Sequence, residues 1–117
     1  MVKHRSQRGE LWLVDLGYLS KVRPVLVVSI PSLDHERTLC IVVPHTTSVI
    51  GTRFELAVEH AALKAGALDL QQTAAVQAVK FVRRLGALNA EQMWTVEQTL
   101  AQVLGLKLAS EGSQPGP

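Results

Sequence analysis

The sequence is short of cysteine, of aromatic residues and of long apolar runs, and each shortage excludes a class of protein. The single cysteine, Cys40, cannot form an internal disulfide and is expected to be a buried small hydrophobe. Aromatic residues make up only 4% of the chain, so Trp12 and Trp94 are expected in the core rather than as base-stacking platforms. No apolar run reaches the length of a membrane span or a signal peptide, which predicts a cytoplasmic protein. The four histidines lack the spacing of a zinc site, so no metal is expected.

What the chain does have is 47% apolar residues over 117 positions, which suits one domain with a real core. We expect that domain to span residues 1–106 and the Ser-, Gly- and Pro-rich residues 107–117 to form a disordered tail. The net charge is only +2, but cations cluster near the start and again at residues 80–84. Two basic patches on a small domain are compatible with a polyanionic ligand.

Short strands alternate with turns over most of the chain. Strands are predicted at residues 10–16, 24–30 and 38–43 from their β-branched content, and at residues 52–59 from strict apolar–polar alternation. Residues 60–71 are predicted to hold a helical turn. Residues 73–82 are predicted to form a strand pair or one kinked strand, followed by a connection at residues 85–88.

One amphipathic helix is predicted near the end of the chain. Asn89 and Gln92 form a variant of the capping box, and Leu88 and Met93 are placed as a hydrophobic staple. Gly105 is well placed to end the helix. The predicted buried face consists of Met93, Val96, Leu100, Val103 and Leu104. Close strands followed by one helix indicate an α+β domain, and an SH3-like small barrel of curved antiparallel strands is its natural form.

Polar groups follow the third predicted strand without a gap. That strand is expected to end at Pro44, which cannot donate to a sheet ladder, and His45, Thr46, Thr47 and Ser48 come next. Small polar groups held at a strand end suit a phosphate ligand. A turn that caps its own backbone is the alternative for such a window.

Arg23 stands directly before Pro24, which restricts it to an extended conformation at the start of the second strand. Its guanidinium can hold a phosphate with two parallel hydrogen bonds. Thr46 can donate its hydroxyl to a phosphate oxygen, and the imidazole of His45 suits acid–base work near neutral pH. Thr46 and His45 are neighbours on an extended chain, however, so their side chains should point to opposite faces.

Three blocks of the sequence, in order, resemble the PemK/MazF toxins of bacterial toxin–antitoxin pairs: RGELWLVDL at residues 8–16, RPVLVVS at residues 23–29 and VPHTT at residues 43–47. The segment around Gln77 and the terminal helix look similar too. This resemblance implies a homodimer of SH3-like barrels that cuts single-stranded RNA, usually mRNA, without a metal. It also implies an antitoxin partner whose disordered tail wraps the toxin, and Arg23 and Thr46 as the catalytic pair.

The expected reaction is attack of a ribose 2′-hydroxyl on the adjacent phosphorus, which leaves 2′,3′-cyclic phosphate and 5′-hydroxyl ends. His45 is a third candidate for this chemistry. The candidates for RNA binding are Lys21, Thr47, Ser48 and Arg53. Many members of the family carry a longer loop with a carboxylate between the first two strands, whereas residues 17–22 are short and contain no acid. A preferred cleavage sequence therefore does not follow from the resemblance.

Two other functions fit the same residues. A toxin of this fold can bind a protein target such as gyrase and cut nothing. A non-catalytic barrel can bind RNA and leave it intact, with an affinity that falls steeply with salt. RNA cleavage that depends on Arg23 separates the endoribonuclease hypothesis from both.

Overall fold

A computed structural model describes residues 6–17 and 22–107. Its strands are β1 Glu10–Asp15, β2 Val22–Val27, β3 Leu39–Thr46, β4 Glu55–Leu56, β5 Ala67–Asp69, β6 Ala74–Gln77 and β7 Phe81–Ala87, and its helix is α1 Ala90–Leu104. The strands form an open, curled antiparallel sheet, and the helix follows it. The predicted α+β, barrel-like class is confirmed. The tail predicted at residues 107–117 lies outside the described residues, except for Lys107.

The central strand of the sheet is β3. It pairs with β2 along one edge and with β5 and then β6 along the other, within the order β4-β5-β3-β2-β1-β7. A 3₁₀ turn, Leu70–Gln72, interrupts this second edge between β5 and β6. The turn contacts both β3 and α1, so it is part of the packed structure.

The third strand continues past Pro44, where the sequence predicted its end. Pro44 pairs with Val25 of β2 and is buried. The Val28 N–H donates to the Ile41 carbonyl at 2.9 Å on the same edge, and the alternation of an antiparallel ladder then turns the Pro44 nitrogen away from β2. The Pro44 nitrogen therefore faces the edge of β3 where the 3₁₀ turn Leu70–Gln72 stands between β5 and β6. No strand pairs with β3 at that point, so the sheet loses no hydrogen bond because proline lacks an N–H.

The two faces of the sheet carry separate apolar clusters. One face packs against α1 and buries Leu11, Leu26 and Val43 with Met93 and Val96 of the helix. The other face buries Val14, Val25, Val27, Cys40 and Val42. Each fully buried side chain of this size contributes about 1.5–3 kcal/mol relative to exposure. The expected burial of Cys40 is confirmed.

The helix begins and ends where the sequence predicted. The Asn89 Oδ1 accepts from the Gln92 backbone N–H at 2.8 Å, and the Gln92 Oε1 accepts from the Asn89 N–H at 3.0 Å. This is the predicted capping box. Gly105 adopts the left-handed conformation (φ 70°, ψ 27°) just after the last turn, which an ordinary side chain would resist.

The segment between residues 50 and 90 departs most from the predictions. The strand predicted at residues 52–59 is reduced to Glu55–Leu56, although Phe54, Leu56 and Val58 do pack toward the helix-side cluster. In place of a helical turn at residues 60–71, the chain forms β5 and enters the 3₁₀ turn. Residues 85–87 of the predicted connection at residues 85–88 form the end of β7 instead.

Two side chains expected in the core are exposed on the helix. Trp94 is 61% exposed and Leu104 is 59% exposed. Met93 and Val96 occupy the face of α1 that packs against the sheet. Trp94 and Leu104 lie on other faces of the helix and are therefore exposed. The prediction that scarce tryptophans lie in the core is therefore wrong for Trp94.

Candidate functional site

A cavity of about 440 Å³ lies on the face of the sheet that carries the second apolar cluster, away from α1. Its polar lining includes Arg23 of β2, Thr46 at the end of β3, Ser48 just beyond it, Asp69 at the end of β5 and Gln72 at the end of the 3₁₀ turn. The remaining lining residues are Glu55 and the apolar Leu16, Val42, Pro44, Ile50, Ala74 and Val76. Clefts of this volume suit a small ligand with a few directed polar contacts.

Arg23 and Thr46 face each other across the end of the β2–β3 ladder. The last pair of that ladder is Val25 with Pro44, and continuing the register by two residues brings Arg23 opposite Thr46. Pro24 lies between and has no N–H to donate, which explains why the ladder stops there. Opposed side chains on neighbouring strands start from Cβ atoms about 4.5–5.5 Å apart. One phosphate can therefore contact both groups.

The backbone of Arg23 is held by the other neighbour of β2. Arg23 pairs with Val14 of β1, whose side chain is fully buried. The Arg23 side chain is half-buried, and within residues 6–17 and 22–107 no carboxylate forms an ion pair with it. A guanidinium that is not engaged by a protein carboxylate can give both arms of its fork to a phosphate.

The hydroxyl of Thr46 accepts a hydrogen bond from the Ser48 backbone N–H at 3.0 Å. The self-capping turn considered from the sequence is thus present. It does not compete with a ligand role, because a hydroxyl has two acceptor lone pairs and a separate O–H donor. The bond to Ser48 orients the oxygen and leaves the proton available for an anion in the cavity.

Two carboxylates in this cavity were not found by sequence reasoning. Glu55 and Asp69 are direct cross-strand partners between β4 and β5. Glu55 accepts from the backbone N–H groups of Ile50, Gly51 and Thr52, and these bonds hold the pKa of its carboxyl below the ordinary value. Glu55 therefore ties the 50–52 turn to the cavity wall.

Asp69 stands at the start of the 3₁₀ turn and organises it. Its Oδ1 accepts from the Gln71 backbone N–H at 3.2 Å, and its Oδ2 accepts from the Gln72 Nε2 at 2.9 Å. An aspartate before a short turn is a common capping choice, which is the only signal that the sequence offered. Capping alone does not reveal that both side chains line the cavity of Arg23.

His45 lies on the opposite face of the sheet from this cavity. It pairs with Leu68, its side chain is only 4% exposed, and it is not part of the cavity lining. Its Nε2 is buried without a hydrogen-bond partner among the described residues. Burial lowers the pKa of the imidazole. The structure therefore does not bring His45 together with Arg23 and Thr46.

We expect His45 to make the stability of the protein depend on pH. Burial favours the neutral imidazole in the folded state and lowers its pKa, whereas the unfolded chain takes up the proton near the ordinary pKa of 6.5. Below that pH the unfolded state binds more protons than the folded state, so the free energy of unfolding should fall as the solution becomes more acidic. Above it, this contribution should be fully present and constant. Urea denaturation at a series of pH values on both sides of 6.5 measures it.

Two variants isolate the contribution of this imidazole. His45→Leu removes the titrating group and should flatten the fall in stability below the ordinary pKa. His35→Gln, in the exposed loop before β3, serves as the matched control and should leave the fall in place. An unchanged pH profile in His45→Leu would show that another group causes the dependence.

Of the other predicted RNA-binding residues, Ser48, Thr47, Arg53 and Lys21, the described structure places only Ser48 in the cavity lining. Ser48 lines it, whereas Thr47 is exposed and does not. Arg53 is exposed, and its Cζ lies 4.5 Å from the centroid of the Phe54 ring, outside the lining. Lys21 lies outside the described residues.

Neither a metal cluster nor a membrane-spanning helix occurs in the described part of the chain. In residues 6–17 and 22–107, no three His, Cys, Asp or Glu side chains converge as a metal ligand set would. Over the same residues, no helix is long and apolar enough to cross a membrane.

Comparison with protein families decides where this chain belongs. Residues 7–104 match the family of PemK-like, MazF-like toxins of type II toxin–antitoxin systems. The chain belongs to this toxin family. The resemblance inferred from three sequence blocks is thereby confirmed.

Solved structures of toxins share the PemK/MazF fold with this chain. A mycobacterial endoribonuclease in complex with its cognate antitoxin has a TM-score of 0.76 at 22% identity, covering 89% of this chain and 99% of that one. The Mycobacterium tuberculosis toxin MazF-mt6 has a TM-score of 0.72 at 23% identity, covering 85% and 99%. A MazE–MazF structure from Deinococcus radiodurans has a TM-score of 0.75 at 19% identity, covering 87% and 98%.

Proposed function

We propose that this toxin is an endoribonuclease that cleaves single-stranded RNA, above all mRNA. The observation that carries the proposal is that Arg23 and Thr46 line one cavity, just beyond the end of the β2–β3 ladder. In the reaction the 2′-hydroxyl loses its proton as its oxygen forms a bond to phosphorus, the bond from phosphorus to the 5′-oxygen breaks, and the leaving 5′-oxygen takes up a proton, so one proton is given up and one is taken up. The products are a 2′,3′-cyclic phosphate and a 5′-hydroxyl end.

Arg23 and Thr46 supply the electrostatic part of this reaction. The guanidinium binds two phosphate oxygens and opposes the charge that builds up as the 2′-oxygen attacks. The Thr46 O–H, already oriented by its bond to Ser48, donates to a non-bridging oxygen. Groups held in place before the reaction need not reorganise during it, which is why such donors contribute strongly.

We infer further that the reaction proceeds without a metal ion and that the toxin acts in the cytoplasm, where mRNA is found. Arg23 provides at the phosphate the positive charge that a metal would otherwise bring. A cognate antitoxin and a second copy of this chain are the proposed partners. The mycobacterial relative was solved in complex with its cognate antitoxin, which supports the first of these.

Replacing Thr46 by valine should lower the rate of RNA cleavage about 100-fold, because one donor to the developing charge is lost while the β-branched shape is kept. Thr46→Ser, which retains the hydroxyl, should recover most of the activity. The measurement is single-turnover cleavage of a labelled single-stranded RNA in EDTA, with the product ends identified by mass spectrometry.

Thr47→Val is the matched control for this experiment, since Thr47 is exposed and outside the cavity lining. It should cleave RNA nearly as fast as the wild type. Wild-type protein that arrests growth without cutting RNA would instead favour a toxin with a protein target. Wild-type protein that binds RNA in a salt-dependent way and leaves it intact would favour a binding barrel.

A further inference from the structure

We propose that Ile50 is a substrate-contacting residue, whose exposed side chain packs against the ring face of a nucleobase next to the phosphate held by Arg23 and Thr46. Glu55 is the positioning residue that holds Ile50 in place. The inference rests on the proposed function and adds a binding contact to it. It is carried by the shared cavity, the exposure of Ile50 and the hydrogen bonds of Glu55.

Ile50 has the largest exposed side chain among the apolar residues of the cavity lining. Val42 and Pro44 are buried in β3 and form the floor, whereas Ile50 is 82% exposed. Ala74 is exposed too but offers a single methyl group. Isolated apolar side chains are common on protein surfaces, so exposure alone assigns no role to Ile50. Its place in the cavity and its fixed backbone set it apart.

The backbone at Ile50 is fixed by the carboxylate of Glu55. This carboxylate accepts hydrogen bonds from the backbone N–H groups of Ile50, Gly51 and Thr52 at 2.5 to 3.1 Å. The Glu55 N–H donates in turn to the Thr52 carbonyl at 3.2 Å, which closes the turn from the other side. Gly51 has a φ of 88°, and successive N–H groups that converge on an anion are typical of turns with such a left-handed residue. The turn therefore presents Ile50 in a defined position.

The sheet register places this turn beside the phosphate-binding pair. Glu55 pairs with Asp69 between β4 and β5, and continuing the β3–β5 register by one residue brings Asp69 opposite Pro44. Residues opposite each other on neighbouring strands point to the same face, and Thr46 shares that face because it lies two residues after Pro44. The turn that carries Ile50 is therefore bound in the row of side chains next to that of Thr46.

The charges of the cavity orient a nucleotide in the same direction. The carboxylates of Glu55 and Asp69 repel a phosphate, whereas the guanidinium of Arg23 attracts it. The phosphate is therefore bound at Arg23 and Thr46, and the uncharged base is the part of the nucleotide that can occupy the end near Ile50. Isoleucine is among the apolar side chains that pack against bases in nucleic-acid complexes. Every base has such a ring face, so the contact should add affinity without selecting one base.

Short DNA oligomers test this contact without the chemistry, because they lack the 2′-hydroxyl and cannot be cut by the proposed reaction. Two probes of equal length and charge are compared by fluorescence anisotropy, a pool of random base sequence and its abasic counterpart, in which every base is missing. The wild type should bind the base-bearing probe more tightly. Ile50→Ser should bind that probe about 5- to 10-fold more weakly than the wild type does, and the abasic probe equally well.

Val49→Ser is the matched control, because Val49 precedes Ile50, is 48% exposed and is not part of the cavity lining. It should bind both probes as the wild type does. Three results would each overturn the contact: undiminished binding of the base-bearing probe by Ile50→Ser, equal losses on both probes, or a wild type that binds neither. Equal losses together with a shift toward monomer in sedimentation would show that Ile50 packs against a second copy of this chain.

Glu55→Gln tests the positioning role. Glutamine keeps the length of the side chain but replaces one acceptor oxygen by an amino group, which cannot accept from a backbone N–H. The affinity for the base-bearing probe relative to the abasic probe should fall toward that of Ile50→Ser, even if loss of the negative charge strengthens phosphate binding in both probes. Adding Glu55→Gln to Ile50→Ser should leave that ratio unchanged. A ratio that stays at the wild-type value in Glu55→Gln would overturn the positioning role.

Cleavage assays separate this inference from the proposed function. Ile50→Ser should raise KM for single-stranded RNA about 5- to 10-fold and leave kcat near the wild-type value, because the contact is made in the bound substrate and in the transition state alike. A wild type that binds the two probes as expected but cuts no RNA would end the endoribonuclease proposal and leave the contact standing. A wild type that cuts RNA, with KM unchanged in Ile50→Ser, would overturn the contact alone.

Discussion

Arg23→Lys is expected to cleave single-stranded RNA about 100-fold or more slowly than the wild type, with the free energy of unfolding nearly unchanged. Lysine keeps the positive charge but replaces the planar fork by a single ammonium group, so it cannot bind two phosphate oxygens in parallel. The side chain of Arg23 forms no ion pair with the described carboxylates, so its replacement leaves no buried charge unpaired. Single-turnover cleavage and urea denaturation measure the two quantities separately.

Arg83→Lys is the matched control. Arg83 lies on β7 opposite Leu13, is exposed, and is not part of the cavity lining. It should cleave RNA at close to the wild-type rate. A fast Arg23→Lys variant would show that charge alone is enough and that two-armed phosphate binding is not used. Undiminished cleavage by Arg23→Ala would remove Arg23 from the site altogether.

Elements whose determinants lie within a few residues of each other could be predicted from the sequence. The helix start depends on Asn89 and Gln92, which bond to each other within one turn, and the helix end depends on Gly105. The run of apolar, β-branched residues in β2 is typical of a buried strand, so this strand could be predicted. In each case the residues that determine the element lie close together in the chain, so the sequence pattern is enough to predict it.

Elements that exist only because of a distant partner could not be predicted. Residues Ala67–Asp69 form a strand because they pair with the end of β3 and with β4, and three residues show no periodicity of their own. The cavity position of Asp69 depends on that register. Its side chain would face the other side of the sheet if the pairing slipped by one residue. The second carboxylate, Glu55, lies in a two-residue strand that pairs with β5, so its position in the cavity could not be predicted either.

The two prolines show how one residue type can carry different structural consequences. Both were predicted to mark strand limits, yet Pro24 and Pro44 lie inside β2 and β3. Pro44 is tolerated because its nitrogen faces the interruption between β5 and β6. Pro24 ends the β2–β3 ladder without ending its strand, which remains paired with β1. The opposition of Arg23 and Thr46 follows from that arrangement, while their catalytic roles stay a prediction.

Gly66→Ala is expected to destabilise the protein and to slow cleavage in the same variant. A Cβ at residue 66 would lie 2.2 Å from the Thr46 carbonyl oxygen and 2.9 Å from Cε1 of His45. The nearest of these atoms belongs to the backbone, so no rotamer change can relieve the contact. Overpacking of this kind costs about 1–3 kcal/mol. Because β3 must move at Thr46, and a displacement of about 1 Å at a reacting group can cost about 100-fold, cleavage should fall by a similar factor.

Urea denaturation and single-turnover cleavage test the two effects, with Ala65→Ser as the control at the exposed neighbouring position. Normal stability and normal cleavage in Gly66→Ala would mean that residue 66 and β3 move apart without affecting the fold or the position of Thr46. Loss of stability with normal cleavage would mean that Gly66 supports the fold but not the position of Thr46. A double variant, Gly66→Ala with His45→Ala, removes the ring contact and keeps the carbonyl contact. If the close approach of Gly66 to the Thr46 backbone is what positions the hydroxyl, this second change should restore little of the cleavage rate.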